Sequence, residues 1–496
     1  MTNWKNFFNC WACLGSRKKN DNFSSKGKEK ELDSEVINQI KDFDRKKLTN
    51  DQKLLIEQLV PNKELRDRYT YYGLCFECQQ PNTGRDRYNF YGWCQSCNSK
   101  HFQQNFSNWS SGSEEVDKFI QKTQSEALGS HEVLEWIPYE RFTDVKYLAK
   151  GGFGTVWKAK WVDGTIEGWN LEVSKWLRRG EVSNKVALKI LNDSQNIKTD
   201  FLQEISYYKL TDDGLPHVVA CYGISRDPET NNYIMVMKLI ESDLRRYLKN
   251  NYNELEFEEK FHHIWWIAMG LKRIHQKGLI HKDFHSGNIL TDSGDSLITD
   301  LGLCRPANYK KEEGKIFGVL PYIAPEVLKG KPYSQASDIY SFGIVAWEIL
   351  SGLPPYHGIS HNSLLKSEIC NEKRRPEFRN KQIDIKIPQL LEDIIKRCWD
   401  DDPLKRPSSD ELSEVLTNCI EDINNERDTE FYHQYKEIEN NEISLSSLSY
   451  ETHPEAIYTS RDLTELQISQ ESQIKIEEND SLKHNLSIEV SPKQKY

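Results

Sequence analysis

Asp283 and Asn288 lie five positions apart in the stretch LIHKDFHSGNIL (279–290), with His281, Lys282 and His285 among them. Apolar pairs, Leu279–Ile280 and Ile289–Leu290, bracket this polar run. Such brackets predict two short buried strands that hold a polar loop rigid. Ten residues past Leu290, after Leu297–Ile298–Thr299, comes Asp300–Leu301–Gly302. Carboxylate and amide oxygens are hard ligands that suit Mg²⁺. A carboxylate at Asp283 can accept or orient a hydroxyl proton while metal ions neutralise phosphate charge.

A phosphate partner for this chemistry appears upstream. In YLAKGGFGTVWKAKW (147–161), glycines at 151, 152 and 154 let the backbone approach a charged ligand. Val156 follows as a side chain able to lie over a flat apolar ring. A glycine-rich loop alone is weak evidence, since ordinary hairpins use glycine too. It gains weight from VALK (186–189), an apolar strand ending in Lys189, whose ammonium suits phosphate oxygens. DFLQEISYYKL (200–210) then reads as a helix that offers Glu204 to Lys189.

A second chemistry lies nearer the start. Cys75 and Cys78 form CFEC, Cys94 and Cys97 form CQSC, and 15 residues separate the pairs. Two CxxC knuckles at this spacing match a closed, four-thiolate Zn²⁺ site. The expected role is structural, because four cysteines leave no open coordination position. A short aromatic-rich segment also needs such a staple to fold.

The elements that must position these groups divide the 496 residues as follows. Residues 1–33 are basic and polar, with Cys10 and Cys13 ahead of a Lys/Arg cluster. That motif is open to acylation, to metal binding, or to being incidental in a solvated end. Residues 34–69 carry helical periodicity ended by Pro61, and 70–110 hold the cysteine module. Residues 111–135 read as a polar linker. Residues 142–420 are globular, strands first and helices after. Residues 421–496 read as a disordered acidic tail, too poor in core-forming periodicity to offset the entropy of ordering.

Charge and hydropathy agree with this division. The net charge is −10, and residues 421–496 alone sum to about −10, whereas residues 1–30 sum to about +5. Mean hydropathy is −0.73. No apolar run reaches the roughly 18 residues of a membrane span, and the start lacks a signal peptide's apolar core. The expectation is an intracellular, cytoplasmic protein with its 11 cysteines mostly reduced.

In order, GGFGTV, VALK, the helix Glu, HKDxxxxN, DLG, APE (324–326) and DPLKRP (402–407) resemble the eukaryotic protein kinase family. The resemblance covers roughly residues 142–420, and RCWDDDPLKRP (397–407) is most similar to the tyrosine-kinase-like and tyrosine kinase branches. It implies an α+β bilobal fold, with a small antiparallel-sheet lobe and a large helical lobe. It further implies that Gly151–Val156 cover the phosphates of ATP and that Lys189, placed by Glu204, holds the α and β phosphates. Met237 stands at the gatekeeper position, with Lys238–Ile240 as the hinge to adenine. Ala149, Phe153, Ala187, Leu239 and Leu290 complete the implied nucleotide pocket. Asp283 becomes the catalytic base, and Asn288 and Asp300 the Mg²⁺ ligands. Glu326 is expected to pair with Arg406, and Asp338 to brace the catalytic loop.

Four positions depart from the family pattern. Ala149 replaces the first glycine of the loop. Lys282 replaces an arginine and loses its bidentate fork. His285 and Val319 replace the Lys and Thr that Ser/Thr kinases place in one contact. His285 is open to two readings, an aid to the γ-phosphate or a packing substitute. Residues 303–323 hold no Ser or Thr, only Tyr309 and Tyr322, so loop phosphorylation on Ser or Thr is not expected to control activity. Between Trp161 and Lys185 lies a long insertion, whose Trp169 and Trp176 are open to docking on a partner or on the cysteine module, with packing on their own lobe the first expectation.

The resulting expectation is a protein kinase acting on protein hydroxyls, Ser/Thr ahead of Tyr. The competing one is a kinase-fold scaffold that binds nucleotide without turnover. Expected partners are protein substrates, with other signalling proteins through the zinc module and tails. Nucleic acid is not expected, except that zinc-dependent binding stays open for residues 70–110.

Overall fold

The strand KVALKIL (Lys185–Leu191) alternates two kinds of side chain, and that alternation sets the first layer of the molecule. Val186 and Leu188 face one way. They join Ile137, Phe142, Ala159, Trp161, Ile234 and Val236 in a closed apolar cluster. Ala187 and Lys189 face the other way. The computed structural model describes residues 31–85, 92–151, 154–180, 184–191, 199–211, 217–291, 294–307, 315–379, 385–441, 450–464 and 466. Cys10 and Cys13 lie outside the described residues, as do Gly152, Phe153 and Tyr309.

The strand belongs to a six-stranded sheet with the order Glu135–Trp136, Cys221–Arg226, Tyr233–Lys238, Lys185–Leu191, Gly154–Trp161, Phe142–Gly151. Neighbours are antiparallel except at the outer edge, where Glu135–Trp136 runs parallel to Cys221–Arg226. The small lobe's sheet is therefore mixed, where an antiparallel one was expected. Trp136 arrives from an upstream helix rather than from a hairpin, so nothing fixes it antiparallel.

A helix, Thr199–Thr211, accompanies this sheet, and the larger lobe is helical. Gln335–Ser351 is capped by Ser334 and ends at Gly352 in the left-handed conformation (φ 71°). Its residues 337–351 are all buried, as the apolar run IYSFGIVAWEIL predicts. Phe257–Gln276 and Gln389–Cys398 pack against it, and Ser409–Asn424 packs in turn on Phe257–Gln276. Arg406 ties the end of this lobe to its middle. Its guanidinium donates to both oxygens of Glu326, at 2.7 and 2.8 Å.

Three findings differ from the sequence reading. Residues 111–135 are not a mere linker. Helix Glu114–Glu126 buries Val116 and Ile120 in the same core as Phe201 and Ile205. The part of 421–496 that is described is not disordered. Helix Glu430–Asn441 inserts Phe431 and Tyr435, and Leu463 is 1% exposed. Isolated anchors of this kind have no periodicity of their own, because the surface that receives them belongs to residues far away in the chain. Third, the insertion does not pack only on its own lobe. Strands Ile166–Asn170 and Lys175–Arg178 form a hairpin. Its Trp176 ring stacks on Phe102 (4.2 Å between centroids), and Trp169 stacks on His101 (4.0 Å). Both partners lie on helix Gln95–Asn105 of the cysteine module.

Candidate active site and cysteine centre

Sheet register assembles the upper wall of the site. Ala149 faces Val156, and Val156 faces Lys189. One step along, Ala187 faces Met237. Directly paired side chains point to the same side, so Ala149, Val156, Lys189, Ala187 and Met237 share one face. This is the face opposite the apolar cluster described above. Leu239 follows Met237 at the end of its strand and is half-buried, as is Leu290 from the other lobe.

Lys189 is the junction between the lobes. Its Nζ donates to Glu204 Oε1 at 2.7 Å and to Asp300 Oδ1 at 3.1 Å. Burial pulls the Lys189 ammonium down. The carboxylates of Asp300 and Glu204 more than reverse this, and its pKa lies well above the ordinary lysine value. Lys189 is therefore a fixed cation. A glutamate on one helix and an aspartate 111 residues from the lysine converge on it.

The lower wall is built on a short hairpin. Ile289–Thr291 pairs with Ser296–Ile298, and Thr299 N donates to Asn288 O at 2.9 Å. Asn288 and Asp300 thus leave the same end of one hairpin. Asn288 Nδ2 donates to the backbone oxygen of Asp283 (2.9 Å) and to its carboxylate (3.1 Å). The amide nitrogen is committed to Asp283, which leaves the carbonyl oxygen as the atom suited to a hard cation. Asp283 is buried, which pushes its carboxyl up. The charge and hydrogen bond of His285, and a hydroxyl from Ser460, outweigh this and hold it at about 2. It stands ionised at neutral pH.

Asp338 fixes the loop from below. Its carboxylate accepts from the backbone nitrogens of His281 (2.8 Å) and Lys282 (3.1 Å), with His275 Nε2 at 2.9 Å. Lys282 adopts φ 71°, and its ammonium lies 5.1 Å from the centre of the Tyr333 ring. His285 does not simply fill space. Its Nδ1 accepts from Gly287 N at 3.1 Å, and its Nε2 lies 3.5 Å from Asp283 Oδ1.

Three further residues serve the site without having been read from the sequence. Tyr208, one turn after Glu204, accepts from the backbone nitrogens of Asp300 (2.8 Å) and Leu301 (3.3 Å). Asp300 has φ 60°, a left-handed conformation that an aspartate tolerates when its amide is held. The only sequence signal for Tyr208 is its i+4 spacing from Glu204. Arg245 donates to Ser286 Oγ (2.8 Å), Tyr322 Oη (2.9 Å) and the carbonyl of Tyr458 (3.1 Å). Ser460, the third, has no sequence signal. Replacing Tyr208 by phenylalanine leaves two buried N–H groups unpaired, and we expect a loss of about 1–3 kcal/mol in stability. Denaturant titration measures that loss. If Tyr208 positions Asp300, the KM for Mg·ATP also rises while kcat changes little, which a purely structural role would not produce.

The cysteine centre forms separately. Gln79, with φ 59°, lets the chain turn back so that its N–H reaches Cys75 O (2.9 Å). Gly84–Arg85 pairs with Gly92–Trp93, bringing Cys94 and Cys97 to the same point. All four Sγ atoms lie within 4.8 Å of one another, with Cys75–Cys97 at 3.9 Å and Cys78–Cys94 at 3.6 Å. A tetrahedron with Zn–S bonds of about 2.3 Å has edges of about 3.8 Å, so the donor set fits that ion. Crowding by Cys75 and Cys78, with burial, pushes the Cys94 thiol up. Arg68 anchors the module to the preceding helices by donating to Pro81 O (2.7 Å) and Asn82 O (3.2 Å).

Comparison with known proteins agrees with this geometry. Residues 142–416, more than half of the chain, match the family described as protein tyrosine and serine/threonine kinase. The chain belongs to that family. It is similar to a probable LIM domain-containing serine/threonine-protein kinase of Dictyostelium discoideum, at 28% identity over 64% of this chain and 48% of the relative. It is also similar to the dual specificity protein kinase shkD of the same organism, at 28% over 61% and 38%. With Homo sapiens mitogen-activated protein kinase kinase kinase 7 the identity is 25% over 58% and 43%. The chain spans less than half the length of these relatives. No described helix is long and apolar enough to cross a membrane.

Proposed function

We propose that the protein is an active ATP-dependent protein kinase in intracellular, cytoplasmic signalling, with Ser/Thr preferred over Tyr. The observation that carries this reading is Lys189 bonded at once to Glu204 and Asp300. Lys189 holds the α and β phosphates, and Glu204 keeps it there. Ala149, Gly151–Val156, Ala187, Met237, Leu239 and Leu290 enclose the nucleotide. Asp283 receives and orients the acceptor hydroxyl. Asn288 and Asp300 hold Mg²⁺, which when bound neutralises charge on the phosphates. Positioning and fixed charge, more than covalent chemistry by the protein, lower the barrier. One relative bears serine/threonine in its name, which supports the hydroxyl preference, and another bears dual specificity, which keeps Tyr open. Cys75, Cys78, Cys94 and Cys97 hold a structural Zn²⁺. The module around it serves as a docking surface for other signalling proteins.

A peptide-array phosphorylation assay with purified protein and Mg·ATP tests this reading. Transfer to Ser or Thr peptides well above background is expected. Nucleotide binding without any transfer would instead favour a scaffold, the reading motivated by the changes at 149, 282, 285 and 319.

A further inference from the structure

Residues 450–464, beyond the stretch 142–416 that matches the family, run across the mouth of the site. Ser460 Oγ lies 2.6 Å from Asp283 Oδ2 and 3.0 Å from His285 Nε2. Because His285 Nδ1 accepts from Gly287 N, the ring proton sits on Nε2. His285 therefore donates to the serine oxygen, and the serine hydroxyl donates to Asp283. An acceptor oxygen is thus fixed with its proton directed at the carboxylate and a lone pair left over.

We propose that Ser460 is a phosphoacceptor of its own kinase domain, presented in cis by the strap 450–464. This rests on the kinase reading above and names a substrate for it.

The backbone explains why Ser460, rather than a neighbouring hydroxyl, is presented. Arg461–Asp462 pairs antiparallel with Phe317–Gly318. Leu463 N donates to Ile316 O at 2.8 Å, and Ile316 N donates to Thr464 Oγ1 at 3.1 Å. The strap adds itself as a strand to the segment ahead of APE, a recurrent mode of peptide recognition. Thr459 lies in a bend just ahead of this strand and is exposed, whereas Ser460 is half-buried against Asp283. Gly318 permits the close approach. Its φ is 141°, and a Cβ there would lie 3.3 Å from Asp283 Oδ1.

Side chains hold the strap on both sides of the serine. Leu463, three residues on, is 1% exposed. Tyr458, two residues before, lies over the Arg245 guanidinium (4.5 Å) and donates through its hydroxyl to Pro355 O (2.9 Å). Arg461 donates to His361 O at 2.7 Å. This predicts the preferred acceptor in other proteins as Ser with an aromatic residue at −2 and leucine at +3. A tyrosine acceptor would carry its hydroxyl several ångströms past Asp283 at this backbone spacing.

In the transfer, Ser460 Oγ forms a bond to the γ-phosphorus of Mg·ATP. The bond from that phosphorus to the bridging oxygen breaks, its electron pair leaving with ADP. The hydroxyl proton passes to Asp283 and then to solvent. The product phosphoserine carries about −1.5 to −2 charge and faces Asp283 at close range, so the strap is expelled and the cleft opens to other substrates.

The experiment uses the full chain with Mg·ATP, an array of Ser/Thr peptides, and site mapping by mass spectrometry. Ser460 should be phosphorylated first, at a rate unchanged by about tenfold dilution, as an intramolecular event requires. Ser460→Ala should remove that phosphate. Leu463→Asp, which expels the buried anchor, should slow Ser460 phosphorylation about tenfold and lower the KM for array peptides about tenfold. Array peptides phosphorylated while Ser460 stays unmodified would overturn the proposal. So would first phosphorylation at Thr459, or a rate that scales with protein concentration. Transfer to neither Ser460 nor peptide defeats the kinase reading itself.

Discussion

Asp283→Asn lowers phosphoryl transfer to a peptide hydroxyl by about a hundred- to ten-thousand-fold. The substitution keeps shape and removes charge. Asp283 is buried and ionised, with a pKa of about 2, so at neutral pH the native site presents an anion to the incoming hydroxyl. An amide at the same place cannot take the proton, and its NH₂ competes with Asn288 Nδ2, which now donates at 3.1 Å. Lys189, Glu204 and Asp300 lie elsewhere and keep their ion pairs, so the KM for Mg·ATP should move little. Because the contacts to His285 and Ser460 outweigh burial and favour the ionised form, removing this charge should also lower the thermal midpoint by several degrees. The measurement is kcat and KM on a peptide identified from the array, with nucleotide affinity determined separately. Transfer within twofold of the parent would mean that Asp283 does not orient the acceptor.

The second large effect concerns the metal. Purified protein should carry one zinc per chain, and Cys94→Ser should carry none. Structural zinc supplies about 10–16 kcal/mol to small modules. The apolar clusters on either side, around Ile40 and Tyr69 and around Trp93 and Phe102, are too small to replace that contribution. The variant should lose packing at Trp93, whose Nε1 donates to Ala127 O at 2.9 Å, and at Trp176, which stacks on Phe102. Tryptophan emission should therefore shift to longer wavelength, and proteolysis between residues 73 and 110 should accelerate. Acidification should release the metal as well, because protonated thiols do not ligate. Cys419→Ser, whose thiol is buried in the large lobe away from the cluster, serves as the control and should retain zinc. Metal content that survives Cys94→Ser would exclude the four-cysteine site.

The hairpin 166–178 gives the cysteine module a mechanical connection to the small lobe. It docks on the module through Trp169 and Trp176, and Arg178 forms an ion pair with Glu135 on the edge strand of the sheet. Loss of zinc should consequently be felt in the small lobe.

The sequence by itself determined the family, the order of its elements and the identity of the groups that meet on Lys189. These follow from short-range rules. A short apolar run writes the strand Lys185–Leu191, a longer one writes the helix Gln335–Ser351, and CxxC spacing writes the cysteine cluster. Each signal is complete within about twenty residues, so no fold is needed to read it. Tertiary structure alone decided where the insertion docks, that helix Glu114–Glu126 belongs to the core, and that Ser460 lies on Asp283. In each case the receiving surface comes from residues distant in the chain, and the arriving segment carries only one or two anchors. A lone leucine or serine has no period, and its meaning is set by the partner that folding brings to it.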